Sequence, residues 1–364
     1  MDYQQNNPLP IPETGAYREV ESTIKTVFDW QYALEDQKLM HLYEKGKSLT
    51  WNANELDWSQ EVDVAKLSLE SGVDVFMNQV MQPPRELSRD EAILLRLHTN
   101  AFMLSQFLHG EQGALIATAK IVQTVPWAEA KFYAANQVAD EARHVEVYHR
   151  YLTEKLGLSY EIEPSLGTLL DQIVSDSRWD ITYLGMQILV EGLALAAFGT
   201  LRLVMQNEPL IQDITARIMA DESRHVAFGV MSLEKVYREE MSARELAERE
   251  EFVIEATRLL RTRLLNRQVF ERLGWDPDVW VPWMTNTPIQ KGFRQMMFSK
   301  IVPNLRRLGL LTPKVRAAFA EMDLLRFEHD KDSVEAPEVT PPYELVKTLM
   351  DFLNRPKAEQ APSA

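Results

Sequence analysis

Two short segments decide the fold: Asp140-Glu141-Ala142-Arg143-His144 and Asp221-Glu222-Ser223-Arg224-His225. Residues three apart in a helix share a face with Cβ atoms about 5–6 Å apart, so Glu141 with His144, and Glu222 with His225, can each reach one point. Upstream of each pair a further glutamate interrupts an apolar, glycine-flanked stretch: Glu111 in Leu108-His109-Gly110-Glu111, and Glu191 in Leu189-Val190-Glu191-Gly192. Glu111 precedes Glu141 by 30 residues and Glu191 precedes Glu222 by 31, so the two halves mirror each other. Four carboxylates and two imidazoles turned into one bundle suit two first-row metal ions bridged by carboxylate. Without cations, glutamates buried together would repel one another and lose their hydration.

Working outward, the 3.6-residue period predicts four long helices, over 89–124, 127–156, 179–206 and 209–238. Ser88-Arg89-Asp90-Glu91 is a capping box that opens the first, and Pro126, tolerated in a first turn, opens the second, which ends at Gly157. Pro164 begins a short helix, and Ser242-Ala243-Arg244-Glu245 is a second capping box opening a helix to about residue 272. The stretch 274–288, with Trp275, Trp280, Trp283 and three prolines, reads as an ordered loop over the core. Two further helices are expected over 289–308 and 313–328, and a short one over 343–354. The resulting division is a flexible arm at 1–15, N-terminal helices packing on the bundle at 16–84, the bundle at 85–240, C-terminal helices with the Trp-rich loop at 241–335, and a Pro-rich linker, short helix and tail at 336–364.

Composition narrows the function. Of 364 residues, 45% are hydrophobic, enough for a large core, and only 14 are glycine, which favours helix over turn-rich sheet. With 54 acidic against 39 basic residues the net charge is −15, the wrong sign for neutralising phosphates or docking on anionic lipid, so neither nucleic acid nor a membrane is an expected partner. Cysteine is absent, which excludes disulfides, zinc ribbons and cysteine-ligated iron–sulfur centres. The first residues, Met1-Asp2-Tyr3-Gln4, lack the basic and apolar regions of a signal peptide, and the expected location is cytoplasmic. The most apolar stretch, 184–198, carries Glu191 in its middle and reads as a buried helix.

The paired segments resemble those of the ferritin-like di-iron carboxylate superfamily, and within it the oxygen-activating oxidoreductases: soluble di-iron monooxygenases, acyl-carrier-protein desaturases and ribonucleotide reductase small subunits. The resemblance covers about residues 89–238. It implies an all-α fold, a ferritin-like four-helix bundle with additional N- and C-terminal helices. It also implies a metal-ligand and catalytic set of Glu111, Glu141 and His144 on one ion and Glu191, Glu222 and His225 on the other, bridged by Glu141 and Glu222. Asp140 and Asp221 would accept hydrogen bonds from the ligand histidines across the bundle, and Arg143 and Arg224 would balance their charge. The implied cofactor is two iron ions, with manganese or a mixed Mn/Fe pair suiting the same donors.

The activity so implied is O2-dependent oxidation of a small or medium organic substrate by hydroxylation, N-oxygenation or desaturation. Having no cysteine, no Gly-x-Gly-x-x-Gly and no P-loop, the chain would draw electrons from an external ferredoxin or flavin reductase. Tyr148, one turn after His144, occupies the position resembling the radical tyrosine of ribonucleotide reductase small subunits, and a buried core tyrosine is the plainer alternative. A ribonucleotide-reductase-like radical subunit and an iron-oxidising ferritin-like protein are the competing functions. Two departures stand out: the monooxygenases and desaturases carry a threonine where this chain has Ala194 and Leu195, and the p-aminobenzoate N-oxygenases carry a ligand histidine where it has Ile218. Gly185, Gly192 and Gly199 recur every seven residues around Glu191, for close helix approach or an apolar cavity. Apolar helix faces outside the bundle make a homodimer the expected assembly.

Overall fold

A computed structural model describes residues 18–62, 77–205, 207–263 and 265–336. Among these the regular structure is helical throughout, with no strand. Helix α1 is Gln37–Ser48, α2 Arg89–Thr124, α3 Ala128–Arg150 and α4 Pro164–Ser175. α5, Trp179–Tyr183, runs through a widened π-helical turn, Leu184–Val190, into α6, Glu191–Val204. α7 is Pro209–Lys235, α8 Ala243–Thr262, α9 Arg267–Arg272, α10 Pro277–Asn286, α11 Pro288–Met296, α12 Ile301–Arg307 and α13 Pro313–Glu321.

Four helical columns make the bundle: α2, α3, α5 with α6, and α7. α2 packs along α3, α6 along α7, α3 against α7, and α2 against α5 and the π turn. The connection from α2 to α3 is three residues, 125–127, which makes those helices antiparallel neighbours. α2 starts where the sequence places it, with Ser88 Oγ accepting from Glu91 N while Glu91 Oε2 accepts from Ser88 N. α1 lies across α3 and α7, and α8 packs on α4 and the π turn. The 24-residue column Trp179–Arg202 is apolar and long enough to cross a membrane, yet 94% of its most apolar window is buried inside the protein, as the central helix of a core must be.

Close approach explains two of the glycines. A Cβ on Gly113 would stand 2.5 Å from Leu170 Cδ2, and one on Gly185 2.5 Å from Ile173 Cγ1, so α4 presses on both α2 and the π turn only because those positions are bare. At these positions the glycines serve packing.

Three expectations are corrected. Helices were expected from residue 16 onward, but 18–35 run without helix, held by Val27 N donating to Gln123 O and Ser22 Oγ to Val174 O. The β-branched run Val20, Thr23, Ile24, Thr26 and Val27 lowers helix propensity there. The Trp-rich stretch 274–288 is not a loop: Asp276 caps and Pro277 opens α10, which tolerates Pro282 inside it. Its indoles pack together, Trp275 on Trp280 at 4.3 Å and Trp280 on Trp283 at 5.3 Å between centroids. The helix expected over 242–272 divides into α8 and α9 at Asn266, whose φ of 55° is a left-handed conformation that asparagine tolerates. The arm at 1–15, the Pro-rich linker and the helix expected at 343–354 lie outside the described residues.

Candidate metal centre

Each column delivers its acidic residue to the middle of the bundle. Glu111 comes from α2, Glu141 and His144 from α3, Glu191 from the first turn of α6, and Glu222 and His225 from α7. The π turn ends just before Glu191, and widened turns of this kind recur at functional sites because they reset which residues face inward. All six side chains are buried, with exposures between 0% and 5%.

Their donor atoms converge. His144 Nδ1 lies 3.2 Å from Glu111 Oε2, 3.3 Å from Glu141 Oε2 and 3.2 Å from Glu222 Oε1. A single ring nitrogen cannot satisfy three carboxylates with one proton. His225 Nδ1 lies 3.1 Å from Glu141 Oε1 and 3.5 Å from Glu222 Oε1, in a geometry that makes no hydrogen bond. Two groups result, in which one ligand atom per residue lies within 4.8 Å of the others: Glu111, Glu141, His144 and Glu222, and Glu141, Glu191 and His225. Glu141 belongs to both.

The other imidazole nitrogens are engaged across the bundle. His144 Nε2 donates to Asp221 Oδ2 at 3.1 Å, and His225 Nε2 to Asp140 Oδ2 at 3.2 Å. Arg143 pairs with Asp140, and Arg224 with Asp221, each one turn along its own helix. Each histidine therefore has its proton held on Nε2 and turns Nδ1 toward the carboxylates.

The residues fit a pair of cations. Glu141 Oε2, Glu191 Oε2 and both Glu222 oxygens are buried with no hydrogen-bond donor, which is costly unless positive charge lies between them. Burial, and then the charge of Glu222, hold Glu111 and Glu191 well above the usual carboxylate range. Burial alone would lower the histidines, but Glu111 beside His144, and Glu141 and Glu222 beside His225, raise both well above the usual imidazole range. The protein on its own gathers protons where metal ions would supply the charge. Carboxylate oxygens with imidazole nitrogens are donors for iron or manganese.

Two contacts at this site are not evident from the paired motifs. Gln137, one turn before Glu141, donates through Nε2 to Glu141 Oε1 at 2.9 Å and to Glu191 Oε1 at 3.0 Å. Its position on the ligand face of α3 was the available signal. Trp51, just beyond α1, donates Nε1–H to Asp221 Oδ2 at 2.8 Å, with Arg143 5.4 Å from its ring centroid. No local spacing announces that contact, which spans 170 residues. Tyr148 is buried with its hydroxyl unpartnered, beside Phe107 and Phe198 at 6.0 and 6.1 Å between centroids. Burial and the charge of Glu111 push its phenol well above the usual range. His109 is turned away, its Nε2 meeting Tyr160 O at 2.9 Å.

A four-helix bundle in which two columns give a lone glutamate and two a Glu-x-x-His has the pattern on which ferritin-like proteins build dimetal carboxylate sites. No protein-family model matches the chain. No curated protein matches it either. Solved structures do resemble it. A dimanganese(II)-NrdF from Streptococcus sanguinis is similar over 80% of this chain and 98% of that one, at 15% identity and a TM-score of 0.49. An R2-like ligand-binding oxidase variant with a Mn/Fe cofactor is similar over 78% and 97%, at 16% identity and 0.49. A second variant of that oxidase is similar over 77% and 97%, at 17% identity and 0.46.

Proposed function

We propose that Glu111, Glu141, His144, Glu191, Glu222 and His225 hold two iron ions, or manganese in one or both positions, and that the protein is an O2-dependent oxidoreductase acting on a small or medium organic substrate. The observation that carries this reading is the set of donor-less carboxylate oxygens converging on two imidazole nitrogens inside the bundle. The bound metals supply the reduction of dioxygen, whose four electrons come two from the organic substrate and two from an external ferredoxin or flavin reductase.

The side chains prepare that chemistry. Asp140 and Asp221 hold a proton on each histidine Nε2, so the proton lost as metal enters is the one on Nδ1, whose lone pair then faces inward. Arg143 and Arg224 neutralise those aspartates and keep their charge from adding to the glutamates. Glu141 and Glu222 reach both histidines, the placement a bridging carboxylate needs. Phe107, Phe198 and Tyr148 close one side with aromatic surface that excludes water. In this reading the protein works in the cytoplasm and assembles as a homodimer.

The test is metal content per chain in wild type, Glu141→Ala and Glu222→Ala, with an optical spectrum after anaerobic ferrous loading and exposure to oxygen. Close to two metals in wild type, a fall in each variant and an oxygen-dependent absorption change are expected. Folded wild-type protein that takes up no metal would overturn the reading. The unpartnered, buried Tyr148 hydroxyl favours one second reading, a ribonucleotide-reductase-like radical subunit. A tyrosyl electron paramagnetic resonance signal after iron and oxygen, lost in Tyr148→Phe, would establish it. A spherical shell in solution would instead indicate the iron-oxidising ferritin-like alternative.

A further inference from the structure

The two halves of the centre mirror each other in their ligands but not one turn upstream of them. Four residues before Glu141 stands Gln137, and four residues before Glu222 stands Ile218, both fully buried. Gln137 Nε2 lies within hydrogen-bonding distance of Glu141 Oε1 and Glu191 Oε1, two acceptors that fix the orientation of the amide with its nitrogen toward them. Those carboxylates come from opposite halves: Glu141 is shared by both groups, and Glu191 belongs only to the group with His225. In the other group, Glu111, Glu141, His144 and Glu222, the carboxylate that mirrors Glu191 is Glu111, which meets His144 Nδ1 and no amide. The Oε2 atoms of Glu141 and Glu191 make no hydrogen bond, so the amide occupies one oxygen of each carboxylate and leaves the other free.

Resting on the dimetal reading above, we infer that Gln137 is a positioning residue that makes the two metal positions unequal. By tying the shared Glu141 to Glu191 it fixes the ligand pair at the position of Glu191 and His225, whereas Glu111 at the other position has no amide to hold it. Two consequences follow. The two positions bind metal with unequal affinity, and removal of the amide weakens the position of Glu191 and His225 more than the other. Gln137 itself is not a ligand; it acts through the two carboxylates, as outer hydrogen bonds to metal ligands generally do.

Mn(II) titration of metal-free protein tests this, with the free ion read from its six-line electron paramagnetic resonance signal. Wild type should bind two equivalents in two resolved steps. Gln137→Met, which keeps volume and removes the amide, should raise one of the two dissociation constants about 10- to 100-fold and the other by a clearly smaller factor. Ile218→Met, a comparable packing change at the mirrored position, should alter neither step by more than twofold. Equal weakening of both steps in Gln137→Met, or no change in either, would overturn the inference. The wild-type isotherm is a test by itself, since two equivalent sites overturn the inequality whether or not the variant folds. Wild type that binds no Mn(II) would overturn the dimetal reading together with this one, whereas two resolved wild-type steps unchanged in Gln137→Met would overturn the role of Gln137 alone.

Discussion

His144 and Asp221 meet at 3.1 Å across the bundle, each from a different half, and His225 and Asp140 repeat the contact in reverse at 3.2 Å. The exchange locks α3 to α7 at the level of the centre and sets the imidazole tautomer at both positions. Asp221→Asn keeps the shape but removes the charge that holds the Nε2 proton. Metal affinity should fall about 10- to 100-fold, read by competition with a chromophoric chelator, while the helical circular dichroism spectrum stays unchanged. Trp51→Phe removes only the 2.8 Å donor to Asp221, which His144 and Arg224 still hold, and should cost less than tenfold. Wild-type affinity in Asp221→Asn would refute the tautomer argument.

Metal removal should lower stability, because the converging carboxylates exist only in the folded chain. A ligand that binds only the native state adds about 2.7 kcal/mol at one hundred times its dissociation constant. For a protein of this size that shifts Tm by about 4 °C, measurable by calorimetry before and after chelation. The protons gathered on His144 and His225 in the metal-free state must leave as metal enters. Uptake should therefore release protons into a weakly buffered indicator solution and weaken as pH falls. Equal Tm values and no proton release on Mn(II) addition would count against a site built for metal.

The bundle is legible in the sequence wherever local chemistry and long-range packing agree. Ser88 and Glu91 cap α2 and Pro209 opens α7 whatever surrounds them, and the apolar period then places the ligands on the inner face. Legibility ends where a distant contact decides. Gln137 is an ordinary buried amide until Glu191 arrives from another column, and Trp51 is an ordinary aromatic residue until α1 docks over α7. The arm at 18–35 has amphipathic spacing, but its β-branched side chains and its hydrogen bonds to the surface of α2 and α4 win. Around α10, its own Trp280 and Trp283, the preceding Trp275 and Arg85, 5.2 Å from the Trp275 ring centroid, hold a proline-containing helix that propensity alone would break.

Two glycine-to-alanine changes should move stability in opposite directions. Alanine is favoured over glycine in a helix by about 0.8–1.0 kcal/mol. At Gly292 in α11 nothing lies within 4 Å of the new methyl, so Gly292→Ala should stabilise by up to about 1 kcal/mol. At Gly185 the methyl would stand 2.5 Å from Ile173 Cγ1 and 3.1 Å from Phe252 Cζ, overpacking that costs about 1–3 kcal/mol and exceeds the helical gain. Urea denaturation midpoints read both signs, and a stabilising Gly185→Ala would mean that α4 yields more readily than its packing implies.

Acid sensitivity should include a contribution from His98, well away from the centre. Burial first, and the nearby Arg272 second, hold its imidazole down to about 4, and its Nδ1 meets the Tyr160 hydroxyl. Between pH 6.5 and 4 the unfolded chain binds a proton at this residue that the folded chain refuses. Stability from this group is thus complete above pH 6.5, declines as pH falls and is fully lost near pH 4, a span worth about 3 kcal/mol at most. His98→Gln keeps a polar partner for Tyr160 and does not titrate, so its stability should fall less steeply than wild type from pH 6.5 to 4 and run parallel to it below pH 4. Urea midpoints across that range decide the matter: parallel curves from pH 6.5 to 4 would show that His98 takes up its proton in the folded protein as readily as in the unfolded chain.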